Sequence, residues 1–169
     1  MKTYNSLYHP IVEQVNHDST NWIGHRPGQT ENQIAGQTFI VPEECPLEAI
    51  EIFSSVVTRP GKIIMTLHYF DPVDKSWGPP VSTCSVNVSC NESGKWLAFD
   101  LHGMQLHKGK VYGFRIESPD TYIGIGEAAG SYCKPPFDNG QEWMFTKRRE
   151  SGRHFSYFSL AFKVDMKAA

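Results

Sequence analysis

Five side chains combine flat rings with planar polar groups in a way that could do recognition chemistry: Trp77, Tyr132, Trp143, Arg153 and His154. The C–H faces of a sugar stack on aromatic rings, while its hydroxyls exchange hydrogen bonds with planar side chains, so this combination points to a glycan contact. Trp77 stands beside Asp74 and Lys75 in a stretch, Asp71 to Pro80, that reads as a loop. The other four come from the long connection before Trp143 and the hairpin after it. Trp96 alternates away from Leu97 and Phe99, which sets it on the outer face of a sheet. Lys147-Arg148-Arg149, with Arg153 close behind, reads first as a solvated hairpin tip and second as a contact for an anion or an acidic glycan.

Motifs that would carry catalysis are incomplete. Asp138, Gly140 and Trp143 fit D-x-G-x-x-W, the core of the Asp-box of sialidase-like repeats, but Pro136 stands where the motif has Ser and there is one copy. Turn chemistry accounts for it: a tight hairpin with Asp138 capping, Gly140 at positive φ and Trp143 anchoring the next strand. Gly124-Ile125-Gly126-Glu127-Ala128-Ala129 fits a dinucleotide fingerprint, yet Cys133-Lys134-Pro135-Pro136 blocks the helix that would receive a pyrophosphate, so these glycines read as a bulge or strand end. The seven histidines show neither H-x-H nor H-E-x-x-H spacing, and G-x-S-x-G is missing. No catalytic residues are assigned, and the chain is expected not to be an enzyme.

What must position the candidate residues is a set of strands. Phe39, Leu97, Phe99, Leu101, Tyr112, Phe114, Ile116, Phe158, Leu160, Phe162 and Val164 fall in short runs where every second residue is apolar, separated by Gly, Pro, Asn and Asp. Such alternation marks half-buried antiparallel strands. About nine strands at this spacing predict an all-β, two-sheet antiparallel β-sandwich of the jelly-roll kind. Phe39, Ile52, Leu67, Phe99, Phe114, Ile116, Leu160 and Phe162 are expected to fill the space between its sheets. Residues 1–32 carry Pro10, Asn21, Gly24, Pro27 and Gly28 and read as an irregular N-terminal wrap, with residues 33–169 forming the sandwich of a single domain.

Charge and composition narrow the partners. A formal net charge of −2 argues against a general nucleic-acid binder, and no apolar run approaches the ~18 residues that span a bilayer, so no membrane insertion is expected. Met1 to Ser6 lead into no apolar segment of a signal peptide, which fits a cytoplasmic protein if the chain is complete and an extracellular one if it is an excised module. Cys84 and Cys90 on one strand would stand roughly 20 Å apart at ~3.3 Å per residue, too far for a disulfide. With Cys45 and Cys133 they are expected as buried or half-buried free thiols.

Gly36-Gln37-Thr38-Phe39, Trp96-Leu97-Ala98-Phe99, Leu106 with Gly109-Lys110-Val111-Tyr112-Gly113-Phe114, and Leu160-Ala161-Phe162-Lys163-Val164 together resemble bacterial jelly-roll modules of the carbohydrate-binding, galactose-binding-like type. The resemblance covers most of the chain from Gln33 onward. It implies a non-catalytic module whose partner is a glycan or polysaccharide, with no certain cofactor. It also implies a structural calcium at the sandwich edge, for which Asp71, Asp74, Asp120 and Asp138 are the available oxygen donors. Two other classes remain open: a protein-interaction or self-association module using the same aromatic surface, and a jelly-roll enzyme with a site that sequence does not display.

Overall fold

The computed structural model describes residues 8–167, which form thirteen strands, β1 to β13 in chain order, and one 3₁₀ turn at Cys90–Glu92. Two antiparallel sheets face each other. The first contains β1 (Tyr8–Gln14), β2 (Ser19–Gly24), β4 (Cys45–Val57), β7 (Lys95–Leu106), β9 (Tyr122–Ala129), β12 (Phe158–Leu160) and β13 (Phe162–Lys167). The second runs, edge to edge, β11 (Arg149–Phe155), β10 (Glu142–Thr146), β3 (Ile34–Ile40), β8 (Val111–Glu117), β5 (Gly61–Asp71) and β6 (Ser76–Val88). The chain is thus an all-β sandwich, as the alternation predicts.

The pleat sorts the side chains. On β8, Tyr112, Phe114 and Ile116 turn inward and are fully buried, while Val111, Gly113, Arg115 and Glu117 belong to the opposite phase. All eight residues expected between the sheets are there, each at 1% exposure or less. Phe162 sits at their centre, its ring 5.6 Å from Phe114, 6.2 Å from Phe39 and 5.2 Å from Phe137.

Several elements depart from the expected ones. The segment read as an irregular wrap supplies two strands: β1 pairs with β13, and β2 pairs with β9 along its whole length. Pro10 is accommodated because β1 is an edge strand with a register shift between Pro10 and Val12. Ile23 is fully buried in the core, and Gly24, at φ 95°, ends β2 where a Cβ would lie 2.2 Å from the Thr121 carbonyl oxygen. The apolar run from Phe155 to Val164 is not one strand. It changes partner at Ala161, whose N–H donates to Gly126 and whose carbonyl accepts from Phe53, so β12 lies on β9 and β13 on β4.

The D-x-G-x-x-W segment makes no tight hairpin, and Gly140 is not among the glycines at positive φ. Instead residues 139–141 lie along β3, with the Ile40 N–H donating to Asn139 (3.2 Å) and the Thr38 N–H donating to Gln141 (2.9 Å). Glycine is required at 140 by close approach: a Cβ would stand 1.8 Å from the Thr38 carbonyl oxygen. The G-x-G-x-x-A segment is the body of β9 rather than a bulge or strand end, and Gly126 leaves room for His17 and Phe53. Cys45, Cys84, Cys90 and Cys133 are all free; Cys45 is buried and Cys84 half-buried, but Cys90 in the 3₁₀ turn and Cys133 in the connection before β10 are exposed rather than buried.

Candidate functional site

The outer face of the second sheet carries an aromatic cluster built on two glycines. Trp77 does not lie in a loop. It is the second residue of β6, opposite Phe70 on β5, and the turn is confined to residues 72–75. Its indole lies over Gly113 and Gly36, where added Cβ atoms would stand 2.4 Å and 3.1 Å from the ring. Around it, edge-on, are Phe70 (5.5 Å between centroids), Trp143 (5.8 Å), Phe145 (5.4 Å) and His68 (5.5 Å). Phe70, Trp143 and Phe145 are buried, and Trp77 is half-buried.

Arg115 enters this cluster from β8. Its guanidinium carbon lies 4.0 Å from the Phe145 ring centroid and 4.7 Å from that of Trp77, a stacked arrangement favourable to a cation. Burial lowers its pKa, opposed by the nearby Glu117 carboxylate. Among the described residues, Arg115 Nε, Trp77 Nε1 and Trp143 Nε1 are buried donors with no acceptor. His68 is held as a neutral ring: its Nδ1–H donates to the Gly78 carbonyl (2.8 Å), and its Nε2 accepts from the Thr66 hydroxyl (2.7 Å). Burial pushes its pKa below the ordinary value, partly offset by the Gly78 contact, and the Arg115 charge adds to the lowering.

The five residues singled out by sequence divide between two places. Trp77, Trp143 and His154 come together on the outer face, with His154 tilted on Trp143 at 5.0 Å across the β10–β11 pair. His154 is exposed, and burial and the neighbouring Lys75 charge lower its pKa. Arg153 belongs to the opposite phase of β11, and its guanidinium lies over Phe155 at 5.5 Å. Tyr132 is 78% exposed and packs edge-on against Tyr157, which also touches Phe155, so these two expected contacts sit on the rim away from the tryptophans. Trp96 is on the outer face of the first sheet, edge-on to Phe53 with the Lys163 ammonium 4.2 Å above it.

A broad opening lies where the β5–β6 turn meets the β7–β8 turn. It has a volume of about 680 Å³, and Tyr69, Trp77, Asp71, His107, Lys110 and Tyr112 are among the residues around it. Tyr69 is half exposed and its ring is 5.6 Å from that of buried Tyr112, so one face rests on the protein and the rest meets solvent. His107 contacts Glu44 at 3.1 Å, and Asp71 Oδ1 accepts the N–H groups of Val73 and Asp74, which fixes the turn. Sequence reasoning missed Tyr69 and Arg115. Tyr69 shares the phase of core residues Ile63, Met65 and Leu67 but lies at the strand end, next to Asp71-Pro72, which is the signal that could have found it.

Two of the three buried acidic groups among the described residues meet elsewhere. Glu142 (1% exposed) faces Glu127 between the sheets and accepts from Asn21 Nδ2 at 2.8 Å, while Glu127 accepts from Ser19 at 2.8 Å. Burial, then the adjacent Glu127 carboxyl, holds Glu142 well above the usual carboxylate range. The aspartates suggested for calcium do not assemble: Asp71 and Asp74 share one turn, and Asp120 is engaged by the Lys62 N–H in another. Asp138 belongs to the connection before β10. Among the described residues, no three His, Cys, Asp or Glu side chains gather as a metal would need.

No protein-family model matches the chain, and no curated protein matches it. Solved structures do. The clostridial cysteine protease Cwp84 after propeptide cleavage matches 98% of this chain with 41% of its own, at 10% identity and a TM-score of 0.58. The cysteine protease and lectin-like domains of Cwp84, a surface layer associated protein of Clostridium difficile, match 83% of this chain with 33% of their own, at 11% identity and a TM-score of 0.51. The likeness is one of fold. A β-(1,4)-mannanase of Podospora anserina, GH26-CBM35, is looser at a TM-score of 0.33 and 7% identity, over 97% of this chain and 25% of its own, and adds nothing further. The chain therefore spans less than half the length of the Cwp84 structures it matches.

Proposed function

We propose that this sandwich is a non-catalytic, carbohydrate-binding-like module whose ligand rests in the opening between the β5–β6 and β7–β8 turns. The observation that carries this reading is the half-exposed Tyr69 ring, with Trp77, Asp71, His107 and Lys110 around the same opening. A flat ring flanked by hydrogen-bonding groups suits a sugar, whose two faces are apolar C–H and whose rim is hydroxyl. Trp77, Trp143 and His154 then act as the platform behind the site, Trp77 alone reaching its edge. The opening is broad, so the ligand keeps much of its hydration and binding is weak and enthalpic.

Tyr69→Ala is the informative substitution, because Tyr69 is exposed whereas Trp77 and Trp143 hold the sheet's outer cluster together. Titration calorimetry against a glycan found by screening should show at least a tenfold loss of affinity for Tyr69→Ala, with the melting temperature nearly unchanged. Undiminished affinity would move the ligand away from this opening.

An interaction module is the second reading, favoured by an apolar patch on the first sheet's outer face. There Trp22 (38% exposed) stacks on Tyr122 at 5.1 Å beside Val56 (41% exposed). Such a patch suits burial against another protein surface.

A further inference from the structure

The β10–β11 hairpin gathers positive charge in a way its sequence spacing conceals. Arg149 pairs across the hairpin with Thr146, and Arg153 pairs with Met144. The arginines are four residues apart, but their partners are only two apart, so Glu150 to Gly152 bulge opposite Phe145. The bulge shortens the separation of the two arginines along the hairpin from roughly 13 Å to roughly 7 Å, at ~3.3 Å per residue, and leaves them in the same phase. Gly152 makes this geometry: its φ is 77°, and a Cβ there would lie 2.4 Å from the Phe145 ring.

The two guanidiniums line a cavity of about 440 Å³ together with Arg148, Thr146, Met144 and Phe155. Among the described residues, no acidic side chain lines it. Arg148 is neutralised by Glu31, 3.6 Å away, but among the described residues no carboxylate lies within 4.0 Å of Arg149 or Arg153. Two neighbouring cations over an apolar floor, with no internal counter-charge, are set out for a ligand that brings both an anion and an apolar face. The guanidinium fork matches a carboxylate in bidentate geometry, and Phe155 and Met144 offer a surface to sugar C–H groups.

We infer that this cavity is a second glycan site, selective for an acidic polysaccharide whose uronate carboxylates bridge Arg149 and Arg153. This rests on the carbohydrate-binding reading but uses different residues. Arg153 faces away from the Trp143–His154 side of the hairpin, and none of the cavity's residues borders the Tyr69 opening. The whole chain's net charge of −2 does not favour polyanions in general, which leaves the local arrangement to supply the selectivity.

The test titrates the full chain with polygalacturonate, neutral dextran and duplex DNA at two salt concentrations. Polygalacturonate should bind, more weakly as salt rises, and the double variant Arg149→Gln/Arg153→Gln should lose at least tenfold in affinity while melting as the wild type does. Arg149→Lys/Arg153→Lys should recover only part of that loss, since lysine restores charge without the fork. Wild-type affinity in the double glutamine variant would overturn the arginine site, as would equally tight duplex DNA, which needs only diffuse charge. Should polygalacturonate binding follow Tyr69 rather than the arginines, the arginine site falls and the opening near Tyr69 stands. Dependence on the arginines without any glycan dependence on Tyr69 would have the reverse meaning.

Discussion

Phe162→Ala should destabilise the protein by about 3–5 kcal/mol, the range for removing a buried aromatic side chain from a core that cannot collapse around the gap. Phe162 is fully buried and touches the rings of Phe39, Phe114 and Phe137, which are contributed by β3, β8 and the connection before β10. Losing it therefore loosens both sheets and the connection that leads to Trp143. For a chain of this size the melting temperature should fall by roughly 6–20 °C. Chemical denaturation of the variant and the parent checks the figure, and a change below about 1 kcal/mol would contradict the placement of this residue at the centre of the core.

Raising the pH from about 4 to about 8 should weaken the fold through Asp165. Its carboxyl is wholly buried on β13, neither oxygen meets a donor among the described residues, and Glu51 lies beside it on β4. Burial, followed by the adjoining Glu51 carboxyl and the repulsion of its charge, raises its pKa from 3.8 to about 8, while Lys163 pulls it down and Glu13 adds to the rise. Between those two values the native state keeps a proton that the unfolded chain releases. The native state thus binds more protons, and stability falls as pH rises through that window. His68 acts with the opposite sign: its lowered pKa makes stability fall as pH drops below the ordinary histidine value. Asp165→Asn isolates the carboxyl. Relative to wild type, this variant should gain on the order of 3–4 kcal/mol between pH 5 and pH 8, because it no longer ionises across about three pH units at ~1.4 kcal/mol each. Parallel stability profiles for the two proteins would contradict this.

The core was legible in the sequence because period-two alternation is a local signal. Phe114 and Ile116 announce their face without knowledge of the neighbouring strand. β1 and β2 were not, because Pro10, Asn21 and Gly24 read locally as breakers, and only pairing with β13 and β9 shows an edge strand and a strand end. Trp77 was misplaced for a similar reason. Pro79 and Pro80 signal a loop, yet β6 is the sheet edge, where a missing N–H costs no ladder bond. Of the candidate site, the chemistry was legible and the grouping was not. Trp77 and Trp143 are 66 positions apart and meet only because Gly36 and Gly113 leave the sheet bare beneath them. Arg115 sits between Phe114 and Ile116 and carries no local sign that it stacks between two rings. Arg149 and Arg153 appear as a solvated tip until the bulge at Gly152 brings them side by side.

The most direct test of the binding-module account is a broad glycan panel probed with the wild-type protein and Tyr69→Ala, alongside sedimentation equilibrium of the unliganded protein. The account predicts glycan ligands for the wild type, weakened at least tenfold in Tyr69→Ala, and a protein that needs no self-association to bind them. A panel without ligands, together with a defined oligomer whose assembly is abolished by Trp22→Ala, would contradict it and establish the interaction module in its place.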